Sequence, residues 1–151
     1  SNAVGMPLRD GLLTVARQVK SHNLRKQIKV IASGKSITGF HMIRNFALGA
    51  DIINSGRGMM LALGCIQALR CHSNHCPVGI TTNNESLMAG LHVPSKAERV
   101  ANYHGETLKV VRAILGAMGK NHPRDVELKD IYQRQSDGSH KTFAEVYGMN
   151  L

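Results

Sequence analysis

Three cysteines fall within twelve residues, Cys65, Cys71 and Cys76, in the spacing C-x5-C-x4-C. Thiolates are soft ligands suited to zinc and to iron-sulfur clusters, and a loop that folds back could aim three of them at one point. His72 and His75 lie between them, so a Cys3His zinc site competes with a cluster, although neither histidine has a standard finger spacing. Taken singly, each cysteine reads as a small buried hydrophobe. Their odd number argues against a closed disulfide framework and for a reducing compartment. On this chemistry alone zinc and iron-sulfur stand level.

A second kind of chemistry is written in glycine. Ser33-Gly34-Lys35-Ser36 and Ser55-Gly56-Arg57-Gly58 each follow a short β-rich run. A loop leaving a parallel strand for a helix N-terminus presents unpaired N–H groups and the positive end of the helix dipole to an anion. Two such loops side by side could share one phosphate, as the loops after strands 7 and 8 of a (β/α)8 barrel commonly do. Gly34 and Gly56 allow close backbone approach, and Ser33, Lys35, Ser55 and Arg57 could add hydroxyl and cationic contacts. The plainer reading is that the glycines are turn residues of ordinary βα loops. A nucleotide P-loop is excluded, because G-x4-G-K-[ST] needs glycine at position 29 and the chain has Lys29.

The elements that must position these residues follow from periodicity. Leu8, Leu12, Val15 and Val19 recur at helical spacing between Pro7 and about His22, with Asn23 at the end. Ile28 to Ala32 reads as a buried strand. Thr38 caps a helix with Phe40, Ile43 and Ala47 on one face and Gly49 as its stop. Ala50 to Asn54 reads as a second strand. This alternation predicts an α/β fold with a parallel sheet. Met59 to Arg70 reads as a buried helix leading into the polar Cys71 to Pro77 loop. After a connector from Asn83 to His92, Ser95-Lys96-Ala97-Glu98 reads as a capping box. It opens a long helix carrying Val100, Tyr103, Thr107, Val110, Ile114 and Met118 to Gly119. A short helix is expected near 126–131, followed by a flexible polar stretch, Gln133 to Lys141.

With 151 residues, 42% hydrophobic and 19% charged, one domain is expected over residues 4–151, its end from 133 a flexible tail. Ser1-Asn2-Ala3 reads as the scar of a cleaved tag. No run approaches a membrane span and no secretory pattern is present, so the cytoplasm is expected. The net charge of +9 suggests an anionic partner, but the basic residues are scattered, aromatics are 4% and tryptophan is missing. Nucleic acid is therefore a poor match.

Several segments together resemble the FMN-binding synthase domain of glutamate synthases and its shorter relatives. They are Gly5-Met6-Pro7-Leu8-Arg9-Asp10-Gly11-Leu12, Ile31-Ala32-Ser33-Gly34-Lys35, Thr38-Gly39-Phe40, Ala47-Leu48-Gly49-Ala50-Asp51 and Ser55-Gly56-Arg57-Gly58. The likeness continues through Leu63-Gly64-Cys65-Ile66-Gln67, Cys71-His72, Cys76-Pro77-Val78-Gly79 and Pro94-Ser95-Lys96-Ala97-Glu98-Arg99-Val100. Other phosphate-binding FMN barrels share the paired loops but lack the cysteine triplet.

The resemblance implies a (β/α)8 barrel, of which this chain would hold the last two βα units, the cysteine loop and a long C-terminal helix. It implies FMN phosphate on Ser33, Gly34, Lys35, Ser55, Gly56 and Arg57, and a 3Fe-4S cluster on Cys65, Cys71 and Cys76. The implied reaction is reductive amination of 2-oxoglutarate with glutamine-derived ammonia, with electrons from a partner subunit or ferredoxin. A whole barrel needs about 250 residues, and the strands expected to carry the catalytic groups are not recognisable here, so no turnover is expected from this chain alone. Its unpaired strand edges point to a homo-oligomer that covers them. Two other outcomes stay open: a basic binding module stabilised by zinc or a cluster, and a cofactor-free piece with free or oxidised cysteines.

Overall fold

The computed structural model describes residues 4–148; the expected tag scar and the last residues of the expected tail lie outside this range. Helix α1, Leu8–Ser21, buries Leu12, Leu13, Ala16 and Val19, while Val15, expected on the same face, is exposed. It ends at Asn23, whose positive φ of 57° lets its N–H reach Lys20 O while the Leu24 N–H reaches Val19 O. This double bond pattern satisfies carbonyls that a helix end leaves open.

Strand β1, Ile31–Ser33, helix α2, Gly39–Ala47, and strand β2, Ile52–Asn54, form a βαβ unit. The strands pair in parallel with Ile31 opposite Ile52, Ala32 opposite Ile53 and Ser33 opposite Asn54. The expected α/β alternation is present, though each strand starts later than the hydrophobic runs suggest. The reason lies in Asp51. Its carboxylate, almost wholly inside, accepts the Val30 N–H at 2.8 Å and Arg25 Nη1 at 2.5 Å, and Arg124 Nε lies 3.2 Å away. A side chain thus takes the Val30 donor just ahead of the ladder. As predicted, Thr38 caps α2, accepting the His41 N–H.

One face of this two-stranded sheet is covered and the other is not. Val30, Ala32, Leu48 and Ala50 pack with Leu12, Leu13 and Val19 of α1. Ile31 and Ile52, partners in register, stay 55% and 49% exposed on the opposite face, which leaves that face apolar and bare.

Helix α3, Gly56–Leu63, starts three residues earlier and stops seven residues sooner than the apolar run implies, and only Gly58 in it is buried. Gly64 ends it in the left-handed conformation at φ 104°, a value an L side chain adopts only with strain. The Gly64 N–H then bonds Leu61 O and the Cys65 N–H bonds Met60 O. After the short helix α4, Glu85–Met88, comes α5, Val93–Ala117. The expected capping box at Ser95 does not form. His92 is the N-cap, Pro94 occupies the first turn, and Ser95 Oγ bonds back to His92 O. Proline suits that position because its missing N–H would be unpaired there anyway. Val111 and Leu115 of α5 form a second core with Ile43, Ala47 and Val126, while Val110 is exposed. Within the described residues no helix is long and apolar enough to cross a membrane.

Two 3-10 turns, Pro123–Asp125 and Leu128–Asp130, replace the helix expected near 126–131. The polar stretch from 133 holds a hairpin, β3 Tyr132–Arg134 with β4 His140–Thr142, followed by α6, Phe143–Tyr147. Leu128 and Phe143 enter the core of α1 and β1 at 2% and 3% exposure. Replacing Leu128 with Ala should therefore cost about 3 kcal/mol in a denaturant titration, the usual figure for a buried leucine. A loss below about 1 kcal/mol would show that the tail does not belong to the core.

Candidate functional site

The glycine loops lie side by side because β1 and β2 are paired in register up to Ser33 and Asn54. The first loop leaves β1 through Gly34 and Lys35, and Lys35 itself takes a left-handed φ of 51°. The second loop turns directly into α3. Ser55 occupies its N-cap position, yet its side chain makes no capping bond. The first intrahelical donor is the Met59 N–H to Ser55 O, so the N–H groups of Gly56, Arg57 and Gly58 are left for an external acceptor.

Ser55 does not cap because its hydroxyl is used elsewhere. It donates to Ser36 O at 2.6 Å and lies 3.1 Å from the Tyr103 hydroxyl, which donates to Ile37 O at 2.6 Å. Ser36 is buried, and its Oγ accepts from Asn45 Nδ2 at 2.9 Å. The rim of the first loop is thus held from beneath by Asn45 of α2 and from the side by Ser55 and Tyr103.

A cavity of about 450 Å³ opens over both loops, lined by Ser33, Gly34, Lys35, Asn54, Gly56 and Arg57 and on its far wall by Met60, Leu61, Cys65 and Cys71, among others. Five of the six loop residues singled out from sequence line it; Ser55 does not. Two cations, open N–H donors and an apolar wall suit an anionic group attached to a flat, partly apolar body.

Two of the three cysteines reach this cavity. The Gly64 turn swings Cys65 onto its wall, where its Sγ accepts the Gln67 N–H at 3.4 Å, and Cys71 is exposed beside it. Cys76 is buried and lies outside the lining. Its thiol is lowered from 9.0 to about 7, chiefly by the N–H groups of Thr81 and Val78, against the opposing effect of burial and with help from the Thr81 hydroxyl and the Ile80 N–H. A ring of donors around one sulfur suits a thiolate ligand, whose charge would satisfy them. Among the described residues no three histidine, cysteine, aspartate or glutamate side chains are close enough to hold a metal ion. The three thiols are soft donors of the kind that zinc and iron-sulfur clusters take, but the fold does not gather them at one point. From Cys65 to Asn84 the backbone has neither helix nor strand.

A family model described as the conserved region in glutamate synthase matches residues 1–121. The glutamate synthase large subunit-like protein YerD of Bacillus subtilis is 38% identical over 139 residues, which is 92% of this chain and 26% of that protein. The archaeal glutamate synthase (NADPH) of Methanocaldococcus jannaschii is 34% identical, over 78% of this chain and 23% of its own length. The ferredoxin-dependent glutamate synthase of Cyanidium caldarium is 36% identical, over 76% of this chain and 7% of its own. The chain spans about a quarter or less of these curated relatives. Since the family's conserved region covers well over half of the sequence, the chain belongs to the glutamate synthase family.

Proposed function

We propose that this chain is the flavin-phosphate and cluster-bearing part of a glutamate-synthase-type oxidoreductase. The observation that carries the reading is the single cavity walled by both glycine loops and by Cys65 and Cys71. In it the N–H groups of Gly56 and Arg57 and the backbone around Gly34 receive the FMN phosphate, and Lys35 and Arg57 offset its charge. Ser33 offers a hydroxyl at the rim, and Ser55 supports the cradle from outside it. Cys65, Cys71 and Cys76, all within the irregular segment between Cys65 and Asn84, would hold the iron-sulfur cluster. Bound FMN would supply hydride chemistry, and the cluster a route for single electrons.

The domain taken as residues 4–151 is read as the last two βα units of a (β/α)8 barrel plus its C-terminal additions. Support comes from the parallel βαβ unit and its bare Ile31 and Ile52 face, since barrel strands are covered on both faces. For the whole enzyme we infer reductive formation of glutamate from 2-oxoglutarate and glutamine-derived ammonia, in the cytoplasm, where thiols stay reduced. We take as partner an electron-donor subunit or ferredoxin, in keeping with relatives whose names carry NADPH or ferredoxin dependence. This chain alone turns over no substrate and associates with itself through the bare sheet face.

Titration of the purified chain with FMN and with riboflavin tests the reading. FMN is expected to bind at least about tenfold more tightly, the worth of one charge-assisted contact set. Arg57→Ala should weaken FMN about tenfold and leave riboflavin unchanged. Equal affinity for the two flavins, or one bound zinc per chain without iron, would overturn it in favour of a zinc-held binding module.

A further inference from the structure

We propose that Tyr103 is a positioning residue of the phosphate cradle, its hydroxyl tying the loop after β1 to α5 directly beside the Ser55 bond that joins that loop to the one after β2. This rests on the FMN reading above and extends it to α5, an element that contributes nothing to the cavity lining. A hydroxyl has one proton to give. Tyr103 gives its proton to Ile37 O at 2.6 Å, and Ser55 gives its own to Ser36 O at 2.6 Å. The two oxygens sit 3.1 Å apart, so two successive carbonyls of the first loop are pinned by one group from the second loop and one from α5. The anchoring side is rigid, because Ser36 and Asn45 are buried at 1% and 0% exposure and bonded to each other.

The latch also accounts for Gly58. A Cβ there would lie 2.0 Å from the Tyr103 oxygen and 2.6 Å from Ser55 Oγ, and real side chains do not approach that closely. Gly58 is the third residue of α3, so the tyrosine closes against the very turn whose N–H groups face the cavity. With Ser55 committed to the latch, those donors stay open. The tyrosine hydroxyl therefore fixes the first loop at Ile37, next to the Ser55 bond that sets the gap between the loops, without touching the ligand.

The experiment uses the intact chain and compares FMN with riboflavin in wild type, Tyr103→Phe and Gly58→Ala. Tyr103→Phe keeps the ring and removes only the latch. It should raise the Kd for FMN about tenfold while leaving that for riboflavin in place, so that the preference for the phosphorylated flavin falls about tenfold. Gly58→Ala, which displaces the hydroxyl without deleting it, should shift the preference in the same direction. If Gly58→Ala does not fold, Tyr103→Phe alone decides. A lower melting temperature with both flavins weakened equally, or with both affinities kept, would reduce Tyr103 to a packing residue and overturn the proposal. Wild-type protein that does not distinguish the two flavins would instead sink the FMN reading on which it stands.

Discussion

Asp51→Asn is expected to destabilise the protein by about 2 to 3 kcal/mol, a drop in melting temperature of about 6 to 10 °C for a chain of this size. The carboxylate is 2% exposed and faces two guanidiniums, Arg25 at 2.5 Å and Arg124 at 3.2 Å, as well as the Val30 N–H. The amide would keep an acceptor for Val30 but lose the charge. Because Arg25 and Arg124 are 35% and 52% exposed, water can resolvate them, which keeps the loss below that of a fully enclosed pair.

The same residue gives a pH dependence. Burial pushes the Asp51 carboxyl up, but the Arg25 hydrogen bond, the Val30 N–H and the charges of Arg25 and Arg124 outweigh it, and its pKa lies below the ordinary 3.8. A group depressed on folding contributes stability above its unfolded pKa and loses it as pH falls through the folded one. Wild type should therefore lose stability below about pH 3.8 more steeply than Asp51→Asn, the two converging as acid protonates the carboxylate. Urea titrations from pH 5 to pH 2 would show this. Parallel curves would mean that Asp51 keeps its ordinary pKa.

The second large effect concerns the thiols. Anaerobic loading with iron and sulfide should produce visible charge-transfer absorption and about three irons per chain, and Cys65→Ser, Cys71→Ser or Cys76→Ser should each abolish nearly all of it. Loss of one ligand of three leaves an open coordination position that solvent attacks, so the effect is close to all or none. Absorption that survives any one of these changes would remove that cysteine from the ligand set, and zinc taken up to the exclusion of iron would remove the cluster. Far-ultraviolet dichroism of each variant separates ligand loss from misfolding. Cys71 is exposed, so its substitution should leave the fold undisturbed and make the cleanest case.

What could be read from the chain beforehand was mostly local. Helices α1 and α2 and their ends at Asn23 and Gly49 follow from apolar periodicity and a residue tolerant of positive φ. The two strands follow from short β-rich runs ahead of glycine. Three features escaped because distant partners decide them. The apolar run after Met59 suggests a helix as far as Arg70, but Gly64 stops it at Leu63, and glycine inside an apolar stretch does not announce whether it will be tolerated. The capping-box pattern at Ser95 lost to Pro94, which starts the helix one turn earlier. The hairpin from Tyr132 was hidden because its polar residues face water, while Leu128 and Phe143, which fasten it, show no periodicity of their own.

The same division applies to the site. That the two glycine loops lie side by side was legible, because the pairing of the short strands ahead of them places them there. The behaviour of Ser55 was not, since its hydroxyl is drawn away by a carbonyl 19 residues earlier and a tyrosine 48 residues later. Tyr103 looked like one apolar position on a helical face, and only the third dimension puts its oxygen between the loops. Cys76 could be seen in the sequence only as one thiol of three, since its donors at Val78, Ile80 and Thr81 depend on the turn that follows it.

The junction of α1 with the hairpin and α6 has a kinetic meaning. Arg17 Nη2 bonds Tyr147 O across 130 residues of chain, and Phe143 fills the core begun by Leu12 and Leu13. Contacts of such long sequence separation form late, because the loop must close before they repay it. Within the described residues, β1 and the segment around Leu48 and Ala50 cover the stripe of α1 early, and the part that meets Leu128 and Phe143 is sealed last.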